Sequence, residues 1–201
     1  MRFIRFIIIA VAVLFAGSVV LGGVNYYQTS EKVENLWKSA EARMNVDFEK
    51  QSIAEIKTNL SAAELYLNEI IEIESDLSAP TDTDKQAKDT LIRYAELELE
   101  FIQAMNTDFV NFYRHTKEAE TYIEKNEIRR AKNTYYTAID DLKKFTSKTN
   151  GILNNMKTLN IEPLDTETKI IITSEINYLE EFNRELKTQS AELQEAVYSI
   201  P

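Results

Sequence analysis

The 201-residue chain contains no cysteine, one histidine, four glycines, three prolines and one tryptophan. Each scarcity removes a class of chemistry or architecture. Without cysteine there is no disulfide framework, no thiolate metal site, no cysteine nucleophile and no lipidated-cysteine anchor. A single histidine rules out a multi-histidine metal centre and argues against histidine-based catalysis. So little glycine and proline does not suit a turn-rich all-β chain and points to long helices. Positive charge is also in short supply. The 23 Lys and Arg against 33 Asp and Glu leave a net charge of −10, which argues against a nucleic-acid partner, whose footprint would be basic.

What is present begins with a membrane signal. After Met1-Arg2-Phe3-Ile4-Arg5, residues 6–24 run for 19 positions without a charge. At 1.5 Å per residue that is roughly 28 Å of helix, close to the hydrocarbon thickness of a bilayer. Arg2 and Arg5 precede the run and the next charge is Glu31, so the positive-inside rule predicts a cytoplasmic N-terminus, residues 1–5, with residues 25–201 outside. Tyr26 and Tyr27 fall where an aromatic belt meets the outer interface. A cleaved secretory signal is the alternative, since Ala16-Gly17-Ser18 offers a small-residue cleavage site; the continuation of the apolar run to Val24 favours an uncleaved anchor. Both alternatives export the remainder of the chain.

Beyond Val24, glycine occurs only at Gly151 and proline only at Pro80, Pro163 and Pro201. These breakers divide the exported part into four predicted helical stretches, near 30–77, 84–125, 127–159 and 165–200. The first carries two apolar stripes, Val33 to Met44 and Ile53 to Leu77, that do not join in register, so a stutter or bend is expected near 45–52. Glu74 interrupts its seam. The second has the seam Leu91, Ala95, Glu98, Ile102, Met105, Phe109, Phe112, Thr116, Ala119, Ile123, with Glu98 as its one charged intruder. The third is the clearest, from Ile128 through Tyr135, Leu142 and Phe145 to Leu159. The fourth turns Ile172, Ile176, Leu179, Phe182, Leu186, Leu193 and Ala196 inward. Thr81 or Thr83 and Asp165 or Thr166 are cap candidates, and Asn126 suits a left-handed turn. The predicted fold is all-α: a transmembrane helix followed by an elongated, coiled-coil-like antiparallel four-helix bundle over 25–201. Because the first helix leaves the membrane, the turns at Pro80 and Pro163 are expected to be distal with a two-helix tip around Pro80, and the Asn126 hairpin and Pro201 membrane-proximal.

Charge is uneven. The stretch 127–159 holds seven basic and three acidic residues, whereas the other three stretches are net acidic. Pairing within the bundle is the ordinary use of such charge. The sharper reading places Lys125, Arg129, Arg130 and Lys132 against anionic headgroups at the proximal hairpin, worth about 1 kcal/mol each near the surface.

Catalytic and metal signatures are wanting. A carboxylate-bundle di-metal site needs Glu-x-x-His, and His115 follows Phe112 at that spacing. There is no phosphate loop, Gly-x-Ser-x-Gly or His-Glu-x-x-His. Tyr122, Asn126, Ala131, Tyr135 and Ala138 fall near the spacing of a tetratricopeptide repeat, which this hairpin resembles over about 34 residues at most, but one unit stands where a repeat fold needs three. No cofactor, metal or catalytic residue is expected. The expected role is that of a non-enzymatic, membrane-anchored, extracytoplasmic bundle that binds another protein or itself. The alternatives are a ligand-sensing bundle working through a separate partner, its small molecule unknown, and a secreted bundle.

Overall fold

The computed structural model describes residues 26–200, and all regular structure among them is helical. The described residues form five helices where four were expected: α1 Tyr26–Met44, α2 Ile53–Asp76, α3 over 82–124, α4 Ile128–Met156 and α5 Thr166–Ser199. Helix α3 is α-helical over Asp82–Ala104 and Val110–Glu124, with a π-helical turn at Met105–Phe109 between them. Among the described residues no helix is long and apolar enough to cross a membrane; the expected anchor at 6–24 and the leading residues 1–5 lie outside them.

The extra helix arises because residues 45–52 reverse the chain instead of bending it. No Gly or Pro is used. The Asp47 carboxylate accepts the backbone N–H groups of Glu49 and Lys50 at 2.9 and 3.1 Å, and the Gln51 side chain accepts the Asp47 N–H at 2.9 Å. This is an Asx-type turn, in which a short acceptor replaces a backbone one. Val46 and Phe48 are buried, so the turn is plugged from beneath. Ser52 then starts α2 with a capping box: its hydroxyl accepts the Glu55 N–H and the Glu55 carboxylate accepts the Ser52 N–H. The reversal sets α1 antiparallel to α2, as the Lys32–Glu69 ion pair (2.8 Å) and the Arg43–Asn59 hydrogen bond (3.0 Å) record.

The other breaks fall where expected. Thr81 caps α3 in a capping box with Asp84, and Asp165 caps α5 by accepting the Thr168 N–H at 3.0 Å. Asn126 adopts φ 59° between α3 and α4, the left-handed conformation that closes a helix C-terminus.

Successive helices pack side by side from α1 to α5. Their inward faces form one continuous core that joins Ile56, Leu60 and Leu67 of α2 to Leu97 and Phe101 of α3, Phe145 of α4 and Phe182 of α5. Phe101, Phe145 and Phe182 touch mutually, with ring centroids 6.1–6.3 Å apart, and Phe109 joins Phe145 at 5.1 Å. Such pairs add roughly 0.5–1.5 kcal/mol beyond the area they bury.

The reversal also inverts the expected polarity of the bundle. Tyr26 lies at the same end as the turns at 77–81 and 157–165; Lys88 reaches the Ser75 carbonyl at 2.6 Å, and the Thr90 hydroxyl lies 3.0 Å from the Asn160 carbonyl. The Asn126 hairpin and the end of α5 lie at the other end, roughly 50–65 Å away at helical rise. There α3, α4 and α5 alone extend past the 45–52 turn and enclose a second, small core of Ala119, Tyr135, Ile139 and Val197. The protruding tip is therefore three-helical and surrounds Asn126; it is not a two-helix tip around Pro80.

The reversal has a direct test. A Lys32→Cys, Glu69→Cys chain should form an intramolecular disulfide or short bismaleimide crosslink in high yield. A continuous helix over 30–77 would hold these positions about 55 Å apart and give none. The cysteine-free background makes the mobility shift unambiguous.

Candidate functional site

The most unusual feature of the interior is a pair of carboxyls from different helices. Glu98 sits one turn after Tyr94 on the inward face of α3. Glu175 projects from α5 between Ile172 and Leu179. Their exposures are only 1% and 3%. The two carboxyls hydrogen-bond each other, and the Tyr94 hydroxyl donates to Glu175 Oε2. One oxygen of each, Glu98 Oε1 and Glu175 Oε1, has no hydrogen-bond partner among the described residues. The indole of Trp37 on α1 lies 5.8 Å from the Tyr94 ring, so the cluster ties α1, α3 and α5 together.

Burial dominates the proton chemistry. It pushes Glu98 well above the usual carboxyl range, and the neighbouring Glu175 charge pushes it further. Burial raises Glu175 to about 7, against the lowering effect of hydrogen bonds from Glu98 and Tyr94. Glu98 is thus the protonated donor and Glu175 the acceptor of two O–H groups. The arrangement follows the rule that two adjacent buried carboxyls do not both ionise. Tyr94 is held neutral by burial and by the nearby acids. Glu74, the other acid on an inward seam, is also buried and is raised to about 7 by desolvation, with Lys88 opposing.

A second feature lies on the outer side of α3, between α2 and α4. It is an open groove of about 610 Å³ lined by Glu64, Glu100, Gln103, Thr107, Lys148 and Ile152, among others. The π turn forms part of its floor. Thr107 returns its hydroxyl to the Gln103 carbonyl at 2.7 Å, and Asn106 donates to Glu64 at 2.8 Å and to Ser61 at 3.1 Å.

The residues singled out from the sequence are dispersed. Lys125 ends α3, while Arg129, Arg130 and Lys132 lie in the opening turns of α4, all at the three-helix end; Arg130 is paired with Glu127 at 2.6 Å. Tyr26 and Tyr27 open α1 at the opposite end. The two groups therefore do not share a membrane-facing end. The proximal placement of the basic cluster assumed an unbroken first helix, and the reversal at 45–52 removes that premise. His115 is a half-buried rim residue, with Nδ1 2.7 Å from Asp141 and Nε2 3.0 Å from Arg114. Arg114 only donates, so Nε2 accepts and Nδ1–H donates to Asp141. Glu98 was visible as a charged intruder on its seam. Glu175 was not, because the apolar letters lead from Ile172 to Ile176 instead.

The chain matches no family model, no curated protein and no solved structure.

The buried pair fixes a pH dependence. The folded state holds protons that the unfolded chain releases near the ordinary carboxyl value of 4.5. Stability is therefore greatest below that value and falls as pH rises through about 7. Glu175 alone contributes a loss on the order of 2–3 kcal/mol between pH 5 and pH 8, and Glu74 acts in the same direction. Urea unfolding at the two pH values should show this slope. Glu98→Gln with Glu175→Gln should reduce it to the part that Glu74 supplies and raise stability at pH 8; an undiminished slope after the double substitution would place its origin elsewhere.

Proposed function

We propose that the protein is a single-pass, membrane-anchored extracytoplasmic helical module that presents its three-helix end to a protein partner. The observation that carries this reading is the direction of the helices: Tyr26, next to the apolar run, stands at one end, and the Asn126 hairpin and the end of α5 stand at the other. A chain emerging from a bilayer at residue 25 would then project the tip outward. The positive flank at Arg2 and Arg5 supports the orientation.

The tip also has the composition of a contact surface. Tyr136 and Tyr198 are 40% and 65% exposed with their rings 6.4 Å apart, an aromatic pair on the outside of a bundle whose other aromatics are mostly inward. Aromatic and arginine side chains carry much of the energy of protein interfaces, and Arg129 and Arg130 lie within two turns of Tyr136. The role is non-enzymatic: the buried carboxyl pair is sealed among helices and holds α1, α3 and α5 together.

Two measurements in intact cells test the proposal. A protease site placed after Ser199 should be cut from outside, and the mature chain should retain residues 1–24 by mass. A photo-crosslinking residue at Tyr198 should give a discrete adduct that Tyr136→Ala reduces at least about fivefold, while one at Asp82 should give none. A cytoplasmic C-terminus, or equal adducts from both ends, overturns it; loss of residues 1–24 replaces the anchored form with the secreted one.

A further inference from the structure

We infer that the Glu98–Glu175–Tyr94 cluster is a proton-held latch: when its protons are lost to water, the first half of α5 parts from α3 and uncovers Tyr94 and Trp37. The inference concerns the end of the bundle beside Tyr26 and is independent of the role proposed for the tip. It places a local opening where the overall loss of stability with pH names no place.

The packing makes this seam the one that can part. Helix α1 packs chiefly against α2, and α5 chiefly against α4. At this level α5 is joined to α3 by the carboxyl pair and by the Tyr94 hydroxyl on Glu175, and α1 reaches α3 through Trp37 on the Tyr94 ring. The first half of α5 buries Thr168, Ile172, Glu175 and Leu179, so an acid sits in the middle of a short apolar face. Past Leu179 the seam changes character. Phe182 lies against Phe101 and Phe145, and Asn183 accepts the Thr149 hydroxyl. That layer contains no ionisable group, so it stays closed and sets the limit of the opening. On the other side lies the non-helical turn at 157–165, which is tied to α3 by the Thr90 hydroxyl on the Asn160 carbonyl and can follow α5 as it moves.

The surroundings leave the pair without a counter-charge. Where α2 and α4 pass it, their buried side chains are apolar, Leu67 and Ile70 on one and Ile152 and Met156 on the other. On α1, Glu34 pairs with Lys38, and Glu41 does not act on the pair. On α3, Arg93 turns to Glu96 and Glu100, and Lys88 acts on Glu74 nearer the end. On α5, Lys169 faces Glu162 and Glu180 takes Lys157. The charge that acts on Glu98 is Glu175, and among the described residues no basic group pairs with either carboxyl. In the closed bundle burial therefore keeps the Glu98 proton well above the usual range and the Glu175 proton up to about 7. In the open one both carboxyls reach water and ionise near 4.5. The open state binds fewer protons, so rising pH favours it, by up to about tenfold per pH unit for each proton still held.

Hydrogen exchange of the full chain in detergent at pH 5 and pH 8, corrected for the intrinsic rate of each amide, tests the latch. Amides within 166–179 should exchange at least about tenfold faster at pH 8 than at pH 5. At pH 8 they should also exchange at least about tenfold faster than amides within 142–153, in the phenylalanine layer. Acrylamide quenching of Trp37, the only tryptophan, should rise over the same interval. Glu98→Gln with Glu175→Gln should remove these changes, and Glu74→Gln should leave them. Unchanged exchange at 166–179, equal rates in the two segments at pH 8, or loss of the effect in Glu74→Gln overturns the inference. The comparison of segments uses the unaltered chain, so it decides even if the double variant folds poorly.

Discussion

The architecture depends on one contact, the insertion of Phe48 against α3. Its ring meets Phe109 and Tyr113 edge-on, each at 5.1 Å between centroids, and the Tyr113 hydroxyl donates to the Phe48 carbonyl. Around Phe48 the turn is also held by the Asp47 and Gln51 side chains, the Ser52 cap and the buried Val46. Burying the ring anchors that turn to the middle of α3, and this fixes α1 antiparallel to α2. The direction of α1 in turn decides which end of the bundle lies beside Tyr26 and which end projects away from it. Without the anchor, the helical residues on either side would be free to join into one rod.

Against this apolar contact stands the polar one at the centre. Two carboxyls without a cation between them are a costly use of core volume, since burial disfavours charge and each retains an oxygen without a partner among the described residues. The cost is limited because Glu98 stays protonated and becomes a donor. Apolar side chains at 98 and 175 would pack without a direction. The chain Glu98–Glu175–Tyr94, with Trp37 against the tyrosine, specifies instead which face of α5 meets α3 and where α1 is laid over both. Nearby, Thr149 donates to Asn183 between α4 and α5, a second buried polar link of the same kind. Polar pairs in helical cores are best attested as setters of register, and both links here join helices whose apolar seams alone would tolerate sliding.

Much of this was legible in the sequence. The helical class, the breaks at 77–81, 126 and 157–165, the Thr81 and Asp165 caps and the inward placement of Glu98 follow from apolar spacing and turn chemistry. Apolar periodicity shows the reversal at 45–52 only as a loss of register. It has no Gly or Pro, its residues are all compatible with helix, and it is built from side chain to backbone bonds that periodicity does not detect. The Ser52-x-x-Glu55 box did announce a helix start, and it is the signal that distinguishes a reversal from a bend. Glu175 escaped for a different reason: hydrophobic periodicity follows apolar letters, and a buried acid is invisible to it until its partner is known. The π turn carries no such signal, because an inserted residue preserves the apolar spacing on either side.

The two cores divide the labour along the long axis. The larger one draws on all five helices and contains the phenylalanine cluster, whereas the tip is held by Ala119, Tyr135, Ile139 and Val197 with Ile123, Leu193 and Ile200 at its edge. Local opening free energy tracks the number of buried apolar contacts, so the tip opens more readily than the centre. Arg114, His115 and Asp141 bridge α3 to α4 where the two regions meet, which confines that opening to the last turns instead of letting it run down the bundle. The small residues Ala119, Ala131 and Ala138 explain why α3 and α4 remain closely apposed even there, since they let the backbones approach. A stiff shaft and an adaptable end thus arise from the same packing rule applied to five helices in one place and three in another. The exposed Tyr136 and Tyr198 pair lies in the adaptable part, where side chains can rearrange around a partner without disturbing the carboxyl pair that fixes the shaft.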